Sequence, residues 1–153
     1  MSLSDQEFMS LFKNLSLPAE YFDHKGHLRL AWLYLQRYPL ELSIIKVAQG
    51  IKAYAGSLGA ADKYHCTITR ALVCIVAQRL SKVSPVQDTR KPAEAKLLTA
   101  GLAHKISWQQ FISQNQDLLV DAFGVLQQYY SKQLLVSEKA RKQFVQPDLR
   151  HWS

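Results

Sequence analysis

The sequence predicts an all-α protein: a compact single-domain bundle of about six to eight helices covering residues 1–153. Three observations carry that expectation. Apolar residues recur at spacings of three and four along most of the chain. No stretch shows a sustained strand alternation. The prolines, and several Ser and Asp residues, fall where helices would start or stop. With 153 residues the chain is long enough to bury a sizeable core. Hydrophobic residues at 48% and charged residues at 20% exclude a disordered composition.

The elements follow in order. Ser4 and Glu7 form a capping-box pattern at the start of a first helix. Phe8, Leu11, Phe12 and Leu15 make its apolar face, and Pro18 ends it. A second helix runs from the N-cap residue Asp23 to about Tyr38, with Leu28, Ala31, Trp32 and Leu35 in helical register. Pro39 suits the first turn of a third helix, whose face is Leu40, Ile44, Val47, Ala48, Ile51 and Ala55 and whose stop is Gly59. A fourth is expected from near Asp62 to Leu80, although the β-branched "CTIT" at 66–69 lowers its intrinsic propensity. Residues 81–94, polar and holding Pro85 and Pro92, read as a mobile loop. A helix over about 93–103 follows. Ser107 and Gln110 then box-cap another helix, and "DLLVDAFGVLQQYY" reads as one more. Ser137 caps a short helix before an extended tail, 145–153, broken by Pro147.

No apolar run approaches the roughly 18 residues that span a bilayer, so no membrane partner is expected. The first residues lack the pattern of a secretory signal. Cys66 and Cys74, eight residues apart on one helix, would lie about 12 Å from each other along its axis, too far for a disulfide. Free thiols without a leader point to a cytoplasmic protein. A net charge of +7 and a pI near 9.5 favour an anionic partner of some kind, nucleic acid included, but no nucleic-acid motif accompanies the scattered Lys and Arg. The short cluster Lys139, Arg141, Lys142 reads as a solvated helix face.

Chemistry concentrates in "FDHKGHLRL", residues 22–30. On a helix His27 lies about 60° from His24, with Ala31 and Leu35 near the His24 line. Both imidazoles therefore travel with the apolar face. The same construction surrounds His65 with Ile68, Thr69, Leu72 and Val76. Three inward histidines near helix starts allow three roles. They can bind a divalent transition metal, zinc or iron, through His24, His27 and His65, with Asp23, Asp62 or Glu20 as oxygen ligands. They can act without metal as an acid/base or binding group beside a small-molecule pocket lined by Trp32, Tyr64, Thr67, Thr69 and Arg70. Or they can be structural, satisfying backbone groups. Cys66 beside His65 does not make a dyad, because adjacent helix residues diverge by about 100°, and Cys74 lies among apolar residues and reads as inert. His104 and His151 fall in loops.

Three segments together, "FDHKGHLRLAWLYL", "KYHCTITRALV" and "YYSKQLLVSEKARKQFVQPDL", resemble a family of small uncharacterised bacterial proteins. In that family an H-x-x-H-L-x-x-A-W helix precedes a Y-H-x-T-x-T segment and a terminal S-x-x-A-R-x-x-F-V-x-P-D segment. The resemblance covers most of the chain from Phe22 onward and implies no reaction. It does imply that His24, His27, Trp32, Tyr64, His65, Thr67, Thr69, Arg141 and Asp148 matter together. Cys66 stands where relatives often carry an acidic residue. The expectation is a small-molecule or metal-binding helical protein with a histidine site, of uncertain enzymatic activity. The competing expectation is a basic interaction module for a protein or nucleic-acid partner, with purely structural histidines.

Overall fold

A computed structural model describes residues 3–82 and 106–152. Among them are nine α-helices and two 3-10 turns, with no strand. The expected all-α architecture is what the chain adopts. The helices are α1 (Asp5–Lys13), α2 (His24–Leu35), α3 (Leu40–Ser57), α4 (Cys66–Lys82), α5 (Trp108–Gln114), α6 (Gln116–Val120), α7 (Ala122–Leu126), α8 (Lys132–Leu135) and α9 (Glu138–Lys142). The expected loop beyond Lys82, the helix over 93–103 and His104 lie outside the described residues; Ser81 and Lys82 themselves close α4.

Three long helices, α2, α3 and α4, pack pairwise against one another and form the centre. Helix α1 leans on α3, and the short helices pack around this trio: α6 against α2, and α7 and α9 against α4. One continuous apolar cluster runs through all of these layers, from Phe8 and Phe12 through Leu28, Ile51, Val73 and Val76 to Phe111, Leu118, Tyr130 and Leu135.

Local chemistry explains most boundaries. The two capping boxes predicted at Ser4/Glu7 and Ser107/Gln110 are both formed. The α1 helix ends at Lys13, earlier than Pro18 suggests. Leu15 takes a left-handed backbone (φ 59°), and the amides of Ser16 and Leu17 both close onto the Leu11 carbonyl. Leu15 is therefore exposed rather than part of the apolar face. The Asp23 carboxylate caps α2 by accepting from the Gly26 amide at 3.0 Å. Gly26 is required there, because a Cβ would collide with the Tyr21 carbonyl of the preceding 3-10 turn, Ala19–Tyr21. The α2 helix stops at Leu35 rather than Tyr38, its last residues passing into a turn before Pro39.

Two further boundaries depart from expectation. Residues 61–63 form a separate 3-10 turn, Tyr64 is extended (ψ 130°), and α4 begins only at Cys66. "CTIT" is its first helical turn, so the β-branched residues do not make it extended. The segment 117–130 is not one helix. Asp121 (φ −144°, ψ 56°) breaks it, and its carboxylate caps the next short helix through the Gly124 amide. The resulting short helices cannot satisfy their own terminal carbonyls, which leaves acceptors for side chains elsewhere.

Beyond α9 the chain is fastened rather than loose. The Tyr130 hydroxyl donates to the Val145 carbonyl, the Asp148 carboxylate accepts from the Ser131 amide, and the Leu149 amide donates to the Tyr129 carbonyl. Pro147 is buried.

Candidate ligand-binding site

The three inward histidines converge. His24 and His27 on α2 and His65 before α4 line one cavity of about 320 Å³ between α2, α3 and α4. Its apolar wall is Ala31 from α2, Val47 and Ile51 from α3, and Ile68, Leu72 and Val73 from α4. Tyr64, Thr69 and Lys63 complete the lining. The volume is at the lower end of what small-molecule sites enclose.

The hydrogen bonds fix what each ring can offer. A backbone carbonyl only accepts, so a ring nitrogen bonded to one must carry the proton. His24 Nε2 lies 2.7 Å from the Leu118 carbonyl of α6 and donates to it. His65 Nε2 donates to the Leu135 carbonyl of α8 at 2.9 Å. Its Nδ1 accepts from the Ile68 amide at 3.1 Å, while the His65 carbonyl accepts the first helical bond from Thr69. His65 is thus the N-cap of α4, with both ring nitrogens engaged. His27 Nδ1 donates to the Asp23 carbonyl at 2.8 Å, and the ring stacks on Phe22 with centroids 4.1 Å apart. That leaves two lone pairs, His24 Nδ1 and His27 Nε2, without a partner among the described residues.

The metal set expected from the sequence is not assembled. Among the described residues no three His, Cys, Asp or Glu side chains are grouped to hold an ion. The physical reason is the bonding just described: His65 has no free lone pair, and the Nε2 atoms of His24 and His65 serve backbone carbonyls. Asp23, the nearest carboxylate in sequence, is committed to capping α2.

Electrostatics favour the uncharged form of His27. Burial holds His27 below the ordinary imidazole value, aided by neighbouring His24, and the Asp23 carbonyl opposes this only in part. Burial likewise pushes the Tyr64 phenol up to about 12, with the Cys66 thiol beside it adding to the shift and Arg70 opposing it. The phenol stays protonated. The site can therefore accept a hydrogen bond or a proton at His27 Nε2, supported by the Asp23 carbonyl behind the ring.

Of the five residues expected to line the pocket, and Arg141, a sixth ligand-binding candidate that the resemblance adds, Tyr64 and Thr69 line the cavity. Trp32 is buried against Trp108, with ring centroids 5.8 Å apart. Thr67 is fully buried and turned to the C-terminal segment: its hydroxyl donates to the Gln143 carbonyl and accepts from the Val145 amide. The Arg70 guanidinium lies 5.9 Å from the Phe144 ring centre. Arg141 pairs with Glu138 and donates to the Asp62 carbonyl, joining α9 to the turn before α4. These four lie outside the lining. Cys66 also lies outside it, and burial pushes the Cys74 thiol up to about 11, so it stays protonated at neutral pH. The basic cluster on α9 is partly neutralised, since Glu138 also pairs with Lys142 at 3.5 Å. Sequence reasoning missed the α3 wall, Val47 and Ile51. Their periodicity marked them as core, but nothing in the pattern could say that the core is hollow there.

No protein-family model, curated protein or solved structure matches this chain. Among the described residues no helix is long and apolar enough to cross a membrane.

Proposed function

We propose that this protein binds a small, largely apolar molecule in the cavity between α2, α3 and α4, without a metal. One observation carries the reading. Segments far apart in the chain converge on an apolar space whose polar edge holds imidazole nitrogens without partners among the described residues. Both histidines are half-buried and neither nitrogen is among the buried unpartnered atoms, so a molecule entering the cavity can reach them. A second groove, about 640 Å³ between α1 and α2, is larger but has a more polar lining, with exposed polar residues beside Met9, Leu33 and two tyrosines.

The test is a titration of methyl-labelled protein with toluene, followed by NMR. Shifts confined to the methyls of Val47, Ile51, Ile68, Leu72 and Val73 are expected. Shifts confined to the exposed Leu40, Ile45 and Val120 methyls, or no saturable shifts at all, would refute the proposal.

A further inference from the structure

Resting on that binding role, we propose that the cavity selects a neutral ligand carrying a hydroxyl or N–H donor, such as a phenol or an indole, and discriminates against carboxylates. Each histidine N–H at the site is already spent. His24 and His65 donate to Leu118 and Leu135, and His27 donates to Asp23. The imidazole edge of the cavity therefore presents lone pairs alone. A carboxylate placed against that edge would set its own lone pairs against them and lose water there without gaining a donor in return. The N-terminus of α2, which could otherwise attract an anion, is occupied by the Asp23 carboxylate. Lys63 is an exposed residue of the lining, so water screens its charge against an anion in the cavity. Nor is a cationic ligand favoured, because among the described residues no carboxylate lines the cavity. What remains is an apolar body against Ile51, Ile68 and Val73, with one donor reaching His27 Nε2.

Toluene, phenol and benzoate share a ring and differ in the polar group, so their affinities at pH 7.5 isolate the selection. In a wholly apolar cavity phenol would bind more weakly than toluene, because burying an unpaired hydroxyl is costly. Here phenol is expected to bind about fivefold more tightly than toluene, the worth of one hydrogen bond, and benzoate most weakly. His27→Phe keeps the stacking on Phe22 and removes both nitrogens. It should retain toluene and lose the phenol preference. Toluene binding to the variant reports that fold and cavity survive, and His27→Met serves the same purpose should the Phe variant not fold. If toluene binds but phenol is no tighter, if benzoate is tightest, or if the preference survives substitution of His27, the selection is overturned while the cavity stands. If none of the three binds, the binding role itself fails and the selection with it.

Discussion

Thr67→Val isolates the joint between α4 and the C-terminal segment. Valine matches threonine in shape, so the fully buried site is neither overfilled nor emptied. The change deletes a hydroxyl that donates to the Gln143 carbonyl at 2.9 Å and accepts from the Val145 amide at 3.1 Å. Both backbone groups then lose their partner. Leaving a buried donor or acceptor unpaired costs about 1–3 kcal/mol. Gln143 is exposed as a residue and its carbonyl can recover water, so the full penalty applies to the half-buried Val145 amide. A net loss of about 2 kcal/mol is expected. In urea unfolding, where a domain of this size has a slope near 2 kcal/mol per M, the midpoint should fall by about 1 M. The Val145 amide should also exchange with solvent faster than in the parent protein. A midpoint shift below about 0.2 M with unchanged exchange at Val145 would refute the claim that Thr67 clamps this segment, and would make its burial a matter of packing alone.

Two further outcomes follow from the same geometry. His65→Ala removes the cap on Ile68 and the donor to Leu135, and should cost more than the roughly 1 kcal/mol of an ordinary N-cap. His65→Asn should restore the capping share but not the bond to Leu135; equal stability of the Asn and Ala variants in thermal unfolding would contradict the N-cap assignment. The pH dependence has a definite sign. The folded-state value of His27 is depressed, so the unfolded chain takes up its proton first as the solution is acidified. Stability from this residue is complete above the ordinary histidine value of about 6.5, is lost as pH falls through it, and stops falling below the folded-state value. Unfolding midpoints between pH 8 and 5 should therefore decline more in the parent protein than in His27→Gln; parallel declines would show that His27 titrates as it does in the unfolded chain.

Much of the site was legible in the residues. The wheel placed His24 and His27 with Ala31 and Leu35, and His65 with Ile68, Thr69, Leu72 and Val76; all of these but Leu35 and Val76 line one cavity. What it could not show is where the second nitrogen of each ring goes. The partners are the carbonyls of Leu118 and Leu135, 94 and 70 residues away. Every residue has a carbonyl, so no side-chain pattern marks these two. They are available because α6 and α8 are only five and four residues long. The break at Asp121 that shortens α6 was itself hidden inside an apolar pattern that reads as one continuous helix.

The amino-acid sequence alone determined the helical class, both capping boxes, the Asp23 cap and the inward direction of the histidines, because each depends on residues within a turn or two of one another. Tertiary structure decided the chemistry. It brought α2, α3 and α4 around a shared space and turned Thr67 and Arg141 into fasteners of the C-terminal segment. It also assigned the imidazole protons of His24 and His65 to distant carbonyls, converting three apparent metal ligands into a cap, a tether and, at His27, a neutral acceptor. Proton positions on a histidine follow from what each nitrogen faces, and those neighbours exist only once the chain has folded.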